Sequence, residues 1–473
     1  MRPTRFAIPL TLAFAAPLAA CGDDDATDPQ PDTARLRVVH ASPDAPAVDI
    51  YAQGVATPLV TNLAYGQVTP YLELDEGTYT LELRAAGATG APAFTTGPLW
   101  VGDDKAYTAV AAGFLASTAD ADRFRVLALE EGFTAPGADQ VAVRVVHAAA
   151  DAPTVGIDVG ADDPANPEVP SLARFADTGA AGIALPAGQP LRIGIAAGGA
   201  TVTSFSAPAL PGGAELFVIA IGRLGDLPRQ PTGFSLAAIG DAGLVGILAQ
   251  DPTVYALHAS PDAPDVDVRV AANDALLIGD LGYGELRGVQ VPPGSYELDF
   301  YAAGSAPGTP AASAQVPGLA AGQRYLAVAT GFLAPGSGEP GFQLIAVADE
   351  LAIDASGARL GAIHASPDAP AVDIATATGQ VMDSPALVAG LAFGAAAAGA
   401  GLEVPAASLR VGVAAAGQST AVATFDVTTV DGLRAFAVAT GALAPAAGRQ
   451  PFRLTIVDTS ASPWTATAIA PNP

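Results

Sequence analysis

The sequence predicts an all-β chain of four tandem β-sandwich domains, each with about seven strands and of immunoglobulin-like or transthyretin-like type. A histidine-led phrase recurs along the 473 residues at intervals of 107, 111 and 106 residues. Inside each copy, apolar and polar residues alternate with a period of two, as on half-buried strands. The 52 glycines and 41 prolines punctuate these runs at the spacing of short strands and turns. The pattern leaves the choice between the two sandwich topologies open.

The charge balance and the cysteine count exclude several classes of protein. Lys and Arg total 21 against 47 for Asp and Glu, which gives a formal net charge of −26 at pH 7. This balance argues against an extended basic face for nucleic acid or anionic lipid. The single cysteine excludes disulfide scaffolds, cysteine-based zinc sites and iron–sulfur clusters. The chain is also too long for one ordinary domain, so we expect several units of roughly 100–150 residues.

Residues 1–20 have the pattern of a signal peptide. Arg2 and Arg5 precede an apolar stretch at 6–16, which is far shorter than the ~20 residues needed to cross a bilayer. The Leu-Ala-Ala-Cys run that ends at Cys21 resembles the lipobox of bacterial lipoproteins. This resemblance implies that Cys21 becomes the mature N-terminus and carries several acyl chains, which anchor a protein stably.

The residues after the cysteine bear on the location of the protein. Gly22 is not the aspartate that lipoprotein sorting links to inner-membrane retention in enteric bacteria. We therefore expect a bacterial cell-envelope protein at the outer membrane or cell surface, which meets the membrane through its lipid anchor only. Residues 21–34 are predicted to form an acidic flexible tether, because they carry five aspartates and little that a core would bury.

The recurring phrase sets the domain organisation. All four histidines begin it: HASPDAPAVDI at His40, HAAADAPTVGI at His147, HASPDAPDVDV at His258 and HASPDAPAVDI at His364. A period this long indicates separate domains and not stacked solenoid repeats. The landmarks place copy 1 at 35–138, copy 2 at 139–251, copy 3 at 252–355, copy 4 at 356–462 and a C-terminal tail at 463–473. Because the segments between copies are short, we expect neighbouring domains to abut.

Individual stretches predict the kind of strand that they form. Residues 79–84 alternate between apolar and polar side chains, as on a half-buried antiparallel strand. Residues 325–329 are continuously apolar, which suits a central strand covered on both faces. The alanine-rich residues 395–400 favour helix by propensity, but they occupy the position of strand-to-strand turns in other copies. We therefore expect a turn there.

The HASPDAP phrase is where the repeat concentrates polar side chains. Its Pro and Asp residues are turn formers, and the predicted turn residues are Pro43, Asp44, Pro261, Asp262, Pro367 and Asp368. If the turn closes a tight hairpin, His40 lies opposite Asp49 on one face, and the same pairing joins His258 to Asp267 and His364 to Asp373. We hypothesise that this pair fixes the register of the first two strands. The alternative path, with those strands in different sheets, would break the pairing.

We expect no catalytic residue, no metal site and no cofactor in the phrase. Ser42 and His40 share a face of one strand, where the pleat separates them by ~6–7 Å. That separation exceeds the hydrogen bond that a nucleophile requires. Each copy has a single histidine, and no Asp-x-Asp-x-Asp-Gly calcium loop occurs. The sequence therefore favours a protein that is not an enzyme.

Two function classes stay open. The first is an envelope lipoprotein whose domains serve as a spacer or bind an unidentified protein or glycan partner, without nucleic acid. The second is a calcium- or carbohydrate-binding surface adhesin, with the turn aspartates or the aromatic residues of copy 1 as the recognition groups. We expect the aromatic residue of the LAYG motif, Tyr65 in copy 1, to pack in the core beside a glycine with positive φ, with ligand stacking as the alternative.

Three motifs together resemble a known bacterial family. RVVHASPDAPAVDIY from Arg37, NLAYG from Asn62 and EGTYTLELRAAG from Glu76 are similar to the domain of unknown function 4397. The resemblance covers nearly all of 35–460 and is specific in copies 1, 3 and 4. Copy 2 departs from it, because alanines replace Ser and Pro in the phrase and Gly156 replaces the later Asp. The resemblance implies a secreted or surface-anchored β-domain, often in tandem, and it carries no assigned activity.

Overall fold

The computed structural model describes residues 33–353, 356–444 and 446–473. The expected signal peptide, Cys21 and nearly all of the expected tether lie outside these residues. Within the described ranges the regular secondary structure is β-strand. None of these residues forms a helix of the length and apolar character needed to span a membrane.

The strands of the first two copies follow one another along the chain. Those of copy 1 are β1 (Thr33–His40), β2 (Val48–Ala52), β3 (Val60–Leu63), β4 (Leu72–Asp75), β5 (Gly77–Tyr79), β6 (Leu81–Ala85), β7 (Phe94–Thr95), β8 (Leu99–Val101), β9 (Ala106–Ala112) and β10 (Arg125–Glu130). Those of copy 2 are β11 (Gln140–His147), β12 (Val155–Val159), β13 (Val169–Leu172), β14 (Ile183–Pro186), β15 (Leu191–Ala197), β16 (Ala200–Ala207), β17 (Glu215–Ile221), β18 (Ser235–Gly240) and β19 (Gly243–Ala249).

The second half of the chain repeats this order. The strands of copy 3 are β20 (Thr253–His258), β21 (Val266–Val270), β22 (Ala275–Leu281), β23 (Leu286–Gln290), β24 (Gly294–Ala302), β25 (Ala312–Leu319), β26 (Arg324–Thr330) and β27 (Gln343–Ala348). Those of copy 4 are β28 (Ala358–His364), β29 (Val372–Thr378), β30 (Val381–Met382), β31 (Val388–Leu391), β32 (Ala396–Val404), β33 (Ser408–Ala415), β34 (Ala423–Thr428), β35 (Arg434–Thr440), β36 (Arg453–Asp458) and β37 (Thr465–Ile469). Residues 396–400 are thus a strand and not the expected turn.

Each copy is a sandwich of two sheets, which confirms the predicted all-β class. In copy 1 the first sheet has the order β10-β9-β1-β4 and the second has the order β3-β2-β6-β7. Apolar side chains from β1, β2, β6 and β9 fill the space between them. β1 pairs in parallel with β9 and antiparallel with β4. The other copies repeat this arrangement, with first sheets β14-β11-β17-β18-β19, β23-β20-β26-β27 and β32-β28-β35-β36-β37. In copy 1, β5 and β8 form a further two-stranded sheet. Within the described residues each copy has eight to ten strands, more than the expected seven.

The copies do not stand alone but pack in pairs. The contacts divide the described chain after Gln250 into unit 1, with copies 1 and 2, and unit 2, with copies 3 and 4. Within unit 1, Val39 and Val110 of copy 1 share a buried apolar cluster with Val146, Phe217 and Ile219 of copy 2. We call the face of each first sheet that meets the neighbouring copy the pairing face.

Strand β26 shows why the first sheets read as continuously apolar. Leu326 and Val328 point into the cluster shared with copy 4. Ala327 and Ala329 point the other way, into the sandwich of copy 3. Successive side chains of a strand face opposite sides of a sheet, and here both sides are covered by protein. The prediction of a central strand covered on both faces is confirmed.

The segment predicted as a C-terminal tail is part of copy 4. Residues 465–469 form β37, which pairs antiparallel with β36. The Trp464 side chain is buried, and its ring stacks on the Tyr255 ring of copy 3 with 4.2 Å between the centroids. The last sequence landmark that all four copies share is the Phe-led strand before this segment, so 463–473 was not assigned to the fold, although copy 2 has a strand, β19, at the same place.

Candidate functional site

The HASPDAP phrase is a crossover between the two sheets of a sandwich. In copy 1 it leaves β1 in the first sheet and enters β2 in the second sheet. Pro43 and Asp44 form a turn, but this turn does not close a hairpin. The predicted contact between His40 and Asp49 is therefore wrong, because the two residues belong to strands that do not pair. The same topology rules out the pairs His258–Asp267 and His364–Asp373.

The histidine closes the crossover from inside. The His40 ring is 1% exposed, and its Nε2 lies 3.0 Å from the carbonyl oxygen of Pro46. The same bond joins His147 to Pro153, His258 to Pro264 and His364 to Pro370 at 2.9–3.0 Å. A carbonyl oxygen only accepts, so Nε2 carries the hydrogen in every copy. The His364 Nδ1 accepts from the Ser366 amide at 3.3 Å, which fits this neutral tautomer.

Burial lowers the pKa of all four histidines below its usual value of 6.5. The cause is desolvation of the imidazolium, which the bond to the proline carbonyl opposes only in part. As the pH falls below about 6.5, the histidines of the unfolded chain become protonated while those of the folded chain stay neutral. The contribution of these histidines to folding stability is therefore fully present above about pH 6.5 and decreases as the pH falls from there toward the folded-state pKa values.

A pH series checks this linkage. We expect the urea midpoint to fall between pH 7 and pH 5.5, and the variant His40→Gln to lose the share that copy 1 contributes to this slope. Gln keeps an amide donor for the Pro46 carbonyl but does not titrate. Identical slopes for the wild-type protein and the variant would contradict the proposed linkage.

The turn aspartate fastens the crossover to the loop after β9. Asp44 accepts hydrogen bonds from the amides of Leu115 at 2.8 Å and Ala116 at 2.9 Å. Asp262 and Asp368 bond the equivalent amide pairs, and Asp151 bonds the amide of Leu224. Ser42 donates to the carbonyl of Gly113 at 2.7 Å, and Ser260 does the same in copy 3. The phrase is thus a set of internal bonds between segments about 70 residues apart.

Asp49 ties two turns of the second sheet together. Its side chain is 6% exposed, and its two oxygens accept from the amides of Asn62 and Gly87, each at 2.8 Å. Both amides belong to residues with positive φ, 53° and 74°. Asp267 and Asp373 make the same two bonds in their own copies. In copy 4 these bonds hold the pKa of Asp373 below its usual value.

Copy 2 lacks this carboxylate for a steric reason. A Cβ at Gly156 would lie 2.8 Å from Cγ of Pro167, which fills the place of the missing side chain. The serine of the phrase is replaced by Ala149, which is fully buried in an apolar cluster. Copy 2 therefore keeps the crossover and its histidine bond and replaces two of the polar ties by packing.

The aromatic residue of the LAYG motif packs where two copies meet. Tyr65 of copy 1 and Phe175 of copy 2 both lie against the cluster shared by the two pairing faces. The ring of Tyr65 also meets the His40 ring edge-on, with 6.2 Å between centroids. Gly66, which follows Tyr65, has a φ of +76°, a backbone conformation that glycine adopts without strain. The tyrosine is thus partly buried, and the core against which it packs belongs to the pair of copies.

The polar side chains of the phrase bond within their own domain. In copy 1 the Ser42 hydroxyl donates to the Gly113 carbonyl and to Asp44, while the histidine bonds a carbonyl. Over residues 33–353, 356–444 and 446–473, no three His, Cys, Asp or Glu side chains converge as a metal site would need. Sequence reasoning missed Arg37, which is 2% exposed on the pairing face. A charged residue inside an apolar strand was the signal available for it.

Comparison with known proteins gives one family and little else. No curated protein matches the sequence. Among solved structures, the Bacillus anthracis TIE protein matches 63% of this chain with 9% identity and a TM-score of 0.14. The match covers 49% of that protein, so the chain spans about half of its length. The family model for a domain of unknown function, DUF4397, matches residues 15–51, 34–158 and 252–375, which is more than half of the chain. The chain therefore belongs to the DUF4397 family.

Proposed function

We propose that this protein is a non-enzymatic lipoprotein of the bacterial cell envelope that holds two paired β-sandwich units on a lipid anchor at Cys21. The units serve a structural or binding role toward an unidentified protein or glycan. The anchor is supported by the signal-like residues 1–20 and the Leu-Ala-Ala-Cys run. The acidic residues 22–32 supply a spacer between the membrane and the first strand.

The observation that carries the non-enzymatic part is the bonding of the recurring phrase. The histidine and the turn aspartate occur in all four copies and the serine in copies 1, 3 and 4, and in copy 1 each bonds to groups of the same domain. A nucleophile or general base must be free to reach a substrate. Groups that already bond to backbone amides and carbonyls support a role in folding instead.

Membrane fractionation tests the anchor. We expect Cys21→Ser to move the protein from the membrane fraction to the soluble fraction and to slow removal of the signal peptide, because serine cannot form the thioether to the lipid. Ala26→Ser, a similar change in the tether, is the control and should leave the protein on the membrane. Retention of Cys21→Ser in the membrane fraction would contradict the lipid anchor.

The adhesin alternative makes a separate prediction. Its calcium form relies on the turn aspartates, and those of copies 1, 3 and 4 each accept two backbone amides. Its glycan form has one accessible ring on copy 1, since Trp100 is 60% exposed. A ligand that prefers the folded state raises the melting temperature. We expect no shift with calcium, chelator or a glycan panel, and a shift abolished by Trp100→Ala would favour the glycan adhesin instead.

A further inference from the structure

The centre of the pairing face in unit 1 is cationic. The residue three positions before the histidine is Arg37 in copy 1 and Arg144 in copy 2, and both are at most 5% exposed. Arg37 Nη1 donates to the carbonyl of Gly240 at 2.5 Å, and Arg144 Nη1 donates to the carbonyl of Glu130 at 2.6 Å. Gly240 is the last residue of β18 in copy 2, and Glu130 is the last residue of β10 in copy 1. The two bonds are therefore reciprocal, as across a two-fold axis.

One aromatic ring serves both guanidinium groups. The Phe217 ring lies 5.4 Å from the Arg37 guanidinium and 5.5 Å from that of Arg144, within the range of a cation–π interaction. Arg37 also pairs with Glu131 at 3.3 Å, and Arg144 pairs with Asp177 at 2.8 Å. Each arginine thus has a carboxylate partner in its own copy and a carbonyl acceptor that the other copy supplies.

In unit 2 the residue three positions before the histidine is uncharged in both copies, although a buried ion pair between Arg434 and Asp349 also joins copies 3 and 4. Tyr255 of copy 3 stacks on Trp464 of copy 4, with an angle of 12° between the rings. Copy 4 has Gly361 there, and a Cβ at Gly361 would lie 2.7 Å from the Phe436 ring. Phe436 is the register partner of Gly361, as Phe217 is of Arg144. Aromatic rings therefore occupy the space that guanidinium groups fill in unit 1.

Exchange of partners between the units would be costly. A copy that brings an arginine to the face of copy 4 buries a guanidinium against Trp464 and Phe436, without the Gly240 carbonyl that Arg37 uses in unit 1. That arginine would keep the carboxylate of its own copy but lose its carbonyl acceptor, and a buried donor without its acceptor is destabilising. A copy with the uncharged residues of unit 2 would in turn leave the carbonyl of Gly240 or Glu130 without its guanidinium donor.

We propose that the pairing face is a recognition surface for one other copy of the same domain, and that the residue three positions before the histidine selects that copy. Four similar domains in one chain are prone to misassembly while they fold. The Arg37–Arg144 combination directs copy 1 to copy 2, and the Tyr255–Gly361 combination directs copy 3 to copy 4. Each combination both favours the right partner and excludes the wrong one.

Trp464 reports on this selection in the full chain. The protein has two tryptophans, and Trp100→Phe leaves Trp464, which is buried in unit 2, as the single tryptophan, which can be excited selectively over the tyrosines. In that background, Arg37→Tyr with Arg144→Gly gives unit 1 the residues of unit 2. After refolding from denaturant we expect longer-wavelength Trp464 emission, stronger quenching by iodide and a lower yield of monomer, because copies 1 and 2 now compete for the partners of unit 2.

Two controls separate selection from loss of stability. Arg37→Lys with Arg144→Lys loses the planar hydrogen-bonding fork but keeps both charges, so Trp464 should stay buried. Leu83→Ala destabilises the interior of copy 1 away from the pairing face and should also leave Trp464 buried. If the variant Arg37→Tyr with Arg144→Gly refolds with wild-type Trp464 emission and wild-type monomer yield, the proposal is overturned. Exposure of Trp464 in either control would overturn it as well, since mispairing would then follow stability alone.

Discussion

Phe217→Ala is expected to lower the free energy of unfolding of unit 1 by about 3–5 kcal/mol, the usual cost of removing a fully buried phenylalanine. The Phe217 side chain has no exposed surface. It lies in the cluster that copies 1 and 2 share, and it contacts Phe133 edge-on at 5.2 Å between centroids. The loss should therefore reach both copies, although the residue belongs to copy 2.

Native-state hydrogen exchange with mass spectrometry measures this effect copy by copy. Peptides from β9 in copy 1 and from β17 in copy 2 should both exchange faster in Phe217→Ala. Phe425→Ala is the matched control, because Phe425 is equally buried but lies in the interior of copy 4. It should accelerate exchange in unit 2 only. An effect of Phe217→Ala confined to copy 2 would contradict the shared core.

Asp49→Ala is the second large change, with an expected loss of about 2–4 kcal/mol. The substitution leaves the amides of Asn62 and Gly87 without their acceptors, and a hydrogen bond to a charged group contributes about 1.5–3 kcal/mol, less where water reaches the donor. Asp49→Asn keeps one acceptor oxygen and should lose less. Urea unfolding gives the total, and exchange of the two amides shows where the loss arises.

Copy 2 supplies a reciprocal test of the same site. Gly156→Asp restores the carboxylate but places a Cβ 2.8 Å from Pro167 Cγ, so we expect it to destabilise unit 1.

For the Asp49→Ala prediction, unchanged exchange protection of the Asn62 and Gly87 amides would show that the Asp49 carboxylate does not hold them.

The predictable part of this fold is the part that each copy specifies locally. A period of two, frequent glycine and proline, and a recurring phrase indicate four β-sandwich copies, because these features depend on residues close in sequence. The course of the chain after His40 could not be predicted from neighbouring residues alone. Pro43 and Asp44 favour a turn in a hairpin and in a crossover between sheets alike, and the distinction is made by Gly113, Leu115 and Ala116, about 70 residues away.

The pairing of copies was hidden for a related reason. An apolar strand that is covered on one face by the second sheet and on the other by a neighbouring copy has the same sequence pattern as a strand covered by any two layers. Arg37 is a charged residue on such a strand, and it is explained by the Gly240 carbonyl, 203 residues further along the chain. Residues 395–400 illustrate the limit of propensity, because a helix-favouring alanine run forms part of a strand where β28 supplies hydrogen-bonding partners.

We infer that two copies, and not one, form the cooperative unit of this protein. Leu83→Ala tests it most directly, since Leu83 is 3% exposed in the interior of copy 1 and lies outside the cluster shared with copy 2. We expect hydrogen exchange of β17 in copy 2 to accelerate together with that of β9 in copy 1, while β26 and β35 in unit 2 are unchanged. Faster exchange in copy 1 alone, with β17 as protected as in the wild-type protein, would contradict it.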